Sequence, residues 1–126
     1  MITAQGEPVD FFLSPGSMAD VNALRVYQFD LPSGSRIYGD GAFNHYLVED
    51  LLEEHDVFLR PIRKKDSKRL IDPPEQYYQH YHRQFVETAG SSINRLMPKS
   101  IHSVTSKGFE LKILLFVLAY AFTFIL

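Results

Sequence analysis

The chain has no cysteine. That excludes disulfide staples and thiolate metal sites and leaves the redox compartment open. Net charge is also nearly absent: 13 Lys and Arg against 15 Asp and Glu give −2. Such a balance neither argues for a nucleic-acid partner nor against one. Met1 to Glu7 carries neither the basic nor the apolar part of a signal peptide, so the expected location is the cytoplasm. The uncharged terminal run from Ile113 to Leu126 is 14 residues (113 to 126). As a helix it would reach about 21 Å, against roughly 30 Å for a bilayer core. Being apolar all round, it is expected to form a buried central helix, with a membrane anchor as the less favoured reading.

What is present suits one globular domain. The chain has 126 residues, 45% hydrophobic and 13% aromatic, enough for a real core but small for a complete enzyme. Gly6-Glu7-Pro8 reads as a turn between a strand stub at Ile2-Thr3-Ala4 and a short strand at Val9–Leu13. The chain therefore opens inside a sheet. A terminal strand fragment has little to hold it, so a truncated chain is the expectation. Ser14-Pro15-Gly16 breaks that strand, and Ser17-Met18-Ala19-Asp20 has the Ser-x-x-acid form of a capping box. A helix is expected to follow to about Gln28, burying Val21, Leu24 and Tyr27. Strands are expected at Ser35–Gly39 and Val57–Leu59, flanking a helix from Ala42 to Glu54. A long helix should run from Glu75 to about Met97, with Pro74 before it and Pro98 after it. The order β-β-α-β-α-β-α-α predicts an α/β fold with a mixed sheet and packed helices.

Three features carry chemistry. Asp40 ends a strand between two glycines; it is read either as an ordinary turn residue or as a ligand at a strand end. The charge is sorted into blocks, with Glu49, Asp50, Glu53, Glu54 and Asp56 preceding Arg60, Arg63, Lys64, Lys65, Lys68 and Arg69. The basic block, interrupted by prolines, reads equally as a solvated loop and as a contact to a phosphate backbone. In the long helix, Val86, Ala89, Ile93 and Leu96 form an apolar stripe beside a polar face bearing Arg83, Glu87, Ser91 and Asn94. Arg83 and Glu87 have the spacing of an i,i+4 ion pair. His80 and His82 do not share a helix face and so do not suggest a metal site. Asp40 and Glu87 are separated by 46 residues (41 to 86), enough for a helix, a strand and a loop. Two carboxylates brought to one point need a cation between them. Oxygen ligands of this kind favour Mg²⁺ or Mn²⁺. Spacing alone permits this arrangement without requiring it.

Residues 9–17 (VDFFLSPGS), 38–44 (YGDGAFN), 61–65 (PIRKK) and 83–96 (RQFVETAGSSINRL), continuing at 107–112 (KGFELK) into the apolar terminal helix, resemble the carboxy-terminal part of a bacterial insertion-sequence transposase of the DDE type. The likeness runs in order along nearly the whole chain. It implies a partial DDE catalytic domain over 1–126 with an incomplete RNase H-like, integrase-type fold. It also implies two-metal Mg²⁺ or Mn²⁺ chemistry that cuts element ends and joins them to target DNA. By the same resemblance Asp40 is the second Asp and Glu87 the Glu of the triad. Arg83 is the basic residue of the Arg-x-x-x-Glu signature. DNA contacts are then expected from Arg60, Arg63, Lys64, Lys65, Lys68, Arg69, Arg83, Arg95 and Lys99.

The chain departs from the family pattern in three places. The signature tyrosine position holds His80, with Tyr81 one residue late. The later lysine position holds Asn94, with Arg95 adjacent. The first Asp belongs on a strand upstream of the opening hairpin, and neither Asp10 nor Asp20 fits it. The resulting expectation is a transposase remnant that is inactive alone. Its expected partners are DNA, a second copy or a full-length transposase. The alternatives are a non-catalytic protein that pairs with and dampens full-length transposase, and a small protein anchored in membrane by its terminal helix.

Overall fold

A computed structural model describes all 126 residues, which divide into two compact units, Ser14–Gln79 and Met1–Leu13 with His80–Leu126. The protein is mixed α/β, with four helices and a small parallel sheet of two strands.

The Ser14–Gln79 unit is built on a β-α-β run. Strand β1 (Ser35–Gly39) and strand β2 (Val57–Pro61) pair in parallel, with Ser35 opposite Val57 and Gly39 opposite Pro61. Helix α2 (Tyr46–Glu54) is the crossover that a parallel pair requires, and it packs on β2. The alternation in β2 explains the packing: Val57, Leu59 and Pro61 are buried, while Phe58 and Arg60 are half-buried on the opposite face. The return from α2 to β2 is tight. Asp56 takes a left-handed conformation (φ 58°), and its carbonyl accepts from the Gly34 amide at 2.7 Å, tying that turn to the start of β1.

Helix α1 (Asp20–Val26) lies against a single 3₁₀ turn (Gly41–Phe43) and buries Leu24 alone. Its expected capping box does not form. The Met18 amide bonds back to the Pro15 carbonyl at 2.8 Å, so the turn runs on past Ser17 and the N-cap is Ala19, with no side-chain bond. The helix expected over 42–54 is likewise divided. Asn44 and His45 are extended, and His45 becomes the N-cap of α2, its Nδ1 accepting from the Val48 amide at 3.3 Å. Helix α3 (Pro73–Leu96) opens two residues earlier than expected, since proline needs no amide partner in a first turn. Its first residues belong to this unit. There Gln79 is buried with Nε2 donating to the Arg60 carbonyl at 3.0 Å, and Tyr78 meets Tyr38 at 5.2 Å between ring centroids.

In the other unit, the expected hairpin shrinks to one antiparallel bridge between Ile2 and Pro8, and Val9–Leu13 forms no strand. Asp10 Oδ1 accepts instead from the Phe11 amide at 2.8 Å, a local bond that competes with sheet pairing. The aromatic residues of α3 pack among themselves, with His82 stacked on Phe85 at 5.4 Å and edge-on to Tyr81 at 5.1 Å. Of the expected apolar stripe only Ala89 is fully buried; Val86 and Leu96 remain exposed.

Helix α4 (Ser106–Phe122) is capped by Thr105, whose hydroxyl accepts from the Gly108 amide at 3.0 Å. Its one buried side chain is Tyr120, which donates to the Gly6 carbonyl at 3.1 Å. The expectation of a buried central helix is therefore corrected. Leu111, Leu115, Leu118 and Phe122 all stand exposed, because this unit has too few elements to enclose a helix that is apolar on every side. No helix is long and apolar enough to cross a membrane.

Candidate functional site

The chemistry-bearing residues separate into a charged network below β1 and β2 and a polar helical face on α3. The network starts at Asp40. Its Oδ1 accepts from the Gly41 amide at 2.6 Å, making Asp40 the N-cap of the 3₁₀ turn that follows β1. The carboxylate is exposed at the strand end. The turn is held by Asn44, whose Nδ2 donates to the carbonyls of Gly41 and Ile62, both at 2.8 Å. Asn44 Oδ1 accepts from Arg63 Nη1 at 2.7 Å. One side chain thus binds the exits of both strands together.

Arg63 then meets Glu49 in a bidentate pair, Nη1 to Oε1 at 2.8 Å and Nη2 to Oε2 at 2.5 Å. The two side chains are 6% and 3% exposed, so both charges are held away from water. The fork geometry and Asn44 satisfy both Nη atoms of Arg63, while its Nε is buried without a partner. Arg69 extends the network outward, with Nη1 and Nη2 bonding the Asp50 carboxylate at 2.7 and 3.0 Å. Tyr46 lies under both guanidiniums, 5.5 Å from Arg63 and 4.5 Å from Arg69. Its hydroxyl is 3.0 Å from Ser67 Oγ and accepts from the Lys68 amide at 3.2 Å. The Ser67 bond, helped by the Lys68 amide and the Arg63 charge, holds the Tyr46 phenol below its ordinary pKa.

The cations of the basic block differ in their surroundings. Arg63 is buried against Glu49 and Asn44, and Arg69 is paired with Asp50 at the surface. Arg60 leans over the Phe58 ring at 5.5 Å. Lys64, Lys65 and Lys68 are exposed. The network joins two charge blocks that lie in separate segments of the sequence. The signal that would have found it is the juxtaposition of oppositely charged blocks across one short strand, which invites cross-pairing between Glu49, Asp50 and Arg63, Arg69. An open groove of ≈ 390 Å³ flanks the network, lined by both signs of charge, including Glu53, Arg60, Asp72 and Glu75.

On α3, Glu87 is 3.2 Å from Arg83, an i,i+4 pair with both side chains at least half exposed. Glu87 also borders a shallow concavity with Gln84, Thr88, Ser91, Ser92 and Arg95. Arg95 and Lys99 are exposed. Asp40 and Glu87 fall in different units, and each is described in its own. No three His, Asp or Glu side chains converge on a point where a metal ion would sit. One Asp40 oxygen is engaged in a cap, and Glu87 is engaged in an ion pair with Arg83. Comparison with family models, curated proteins and solved structures gave no match.

Two outcomes are expected. Glu49→Ala strands Arg63 as a buried unpaired cation and should cost about 3–5 kcal/mol, whereas Glu87→Ala removes an exposed helical pair worth roughly 0.2–0.5 kcal/mol. Denaturant melts of both variants compare the two roles directly. The second concerns acid. The Arg69 hydrogen bond holds the Asp50 carboxyl below its ordinary value of 3.8. A depressed folded-state pKa adds stability above the unfolded value, and that stability is lost as pH falls through the folded one. Wild type should therefore lose stability below about pH 4 more steeply than Asp50→Asn, as read from melts across an acid series.

Proposed function

We propose that this chain is part of a DDE transposase catalytic core, that it works in the cytoplasm on DNA, and that residues 1–126 neither cut nor join DNA by themselves. The observation that carries this reading is the order β1–α2–β2–α3. Asp40 directly follows a parallel strand, and Glu87 sits mid-helix after the next strand with Arg83 one turn before it. That is the sequence of elements and residues the family resemblance calls for, at strand-end and helix positions suited to metal ligands. The inactivity follows from ligand count. Asp40 and Glu87 are two of three carboxylates, and two leave divalent ions short of protein oxygens.

A second reading has its own support. Leu111, Leu115, Leu118 and Phe122 of α4 follow a four-three-four spacing and are 44–55% exposed. A 3.5-residue apolar seam of this kind suits a partner helix. In this reading the chain pairs with an intact transposase and dampens it.

One assay addresses both readings. Strand transfer on the element's own terminal DNA, with Mg²⁺ or Mn²⁺, should give no product with purified 1–126. Product that disappears in Glu87→Ala would overturn the inactivity. Added to an intact transposase of the family, wild-type chain should lower the yield and a Leu115→Lys, Leu118→Lys variant should not. Equal yields with and without the wild-type chain would remove the second reading.

A further inference from the structure

We propose that α4 pairs antiparallel with α4 of a second copy of this chain, Leu115 of each against Leu118 of the other and Leu111 against Phe122. The proposal rests on the second reading for the seam alone and draws neither the occupant nor its direction from the family resemblance.

The seam is a consequence of composition. Beyond Lys112 the helix carries no charge and is apolar all round, so seating one side within its unit leaves another apolar side outside. Tyr120 is buried on the seated side, with Ile113, Phe116 and Val117 half-buried beside it. Leu111, Leu115, Leu118 and Phe122 form the opposite line, 44–55% exposed, about 16 Å long at the usual helical rise. Their four-three-four spacing reads the same from either end. A two-fold axis between Leu115 and Leu118 therefore lays the line on itself, which makes the face self-complementary.

The charges at the helix ends set the direction. The first turn of α4 holds no acid and the last turn no base, so neither end of the helix dipole is compensated within the chain. Lys107 lies in that first turn, at the positive end of its own helix. An antiparallel second copy brings each Lys107 to the last turn of the other α4, where the carbonyls favour a cation. A parallel pair instead sets Lys107 of one copy against Lys112 of the other, like charges flanking the seam twice. Lys112 is held on its flank by donating to the His102 carbonyl. Charge thus favours the antiparallel pair and opposes the parallel one.

Sedimentation velocity of the full 126-residue chain over a concentration series tests this. Wild type should pass from monomer to dimer, and L115K/L118K, changed only at exposed positions, should stay monomeric. Lys107→Glu should weaken the dimer by roughly threefold or more, by setting a negative charge beside a negative helix end. In a parallel pair the same change would face Lys112 and tighten the dimer. Because the chain has no cysteine, an oxidised mixture of L111C and F122C chains reports direction. Disulfides between the two variants should exceed those within either one. A monomeric wild type, a tighter K107E dimer, or an excess of like-with-like disulfides would each overturn the proposal. So would wild type that binds phosphatidylcholine vesicles and does not self-associate. A monomeric wild type that still lowers the yield of an intact transposase removes the dimer and leaves the second reading in place. A dimer that leaves the yield unchanged does the reverse.

Discussion

The buried pair between Arg63 and Glu49 is the constraint on which the Ser14–Gln79 unit turns. Two opposite charges, 6% and 3% exposed, meet in a fork 2.5–2.8 Å across. Desolvating them is costly, and the cost is offset only while every partner is in place. Asn44 is one of those partners, and it in turn holds Gly41 and Ile62. The position of the turn bearing Asp40 and the path of the chain leaving β2 thus depend on the same guanidinium. A sheet of two strands has little cohesion of its own, which explains why a polar network carries so much of the order here.

The same network decides what the basic loop can do. A run of arginines and lysines in sequence looks homogeneous, yet in the fold its members have different fates. The planar, multiply bonding guanidinium of Arg63 is buried against Glu49, while that of Arg69 pairs with Asp50 nearer the surface, and both lie over the Tyr46 ring. The lysines remain outside in water. The fold thereby divides a stretch of like charge into an internal brace and a set of exposed lysines.

Much of the architecture was legible from local signals. β1 and β2 were visible through their short apolar runs and bounding glycines and prolines, and α3 through its length and its flanking prolines. What failed were elements whose state depends on distant partners. Val9–Leu13 has strand composition but no neighbouring strand to pair with, and its side chains stay exposed. The terminal apolar helix has core composition but only Tyr120 reaches full burial. The helix over 42–54 broke at Asn44 because its side chain serves Gly41, Ile62 and Arg63, a demand that lies outside any local window. Of the candidate site, Asp40 at a strand end and the Arg83–Glu87 pair were readable from position and spacing. The engagement of Arg63 and Arg69 was not, because it joins residues 14 to 20 positions apart through an intervening strand.

The claim that the buried Arg63–Glu49 pair braces this unit is tested most directly by amide hydrogen exchange of wild type and Glu49→Gln. Residues 44–50 and 64–68 should be protected in wild type and should lose protection together in the variant. Unchanged protection of both segments in Glu49→Gln would contradict the account.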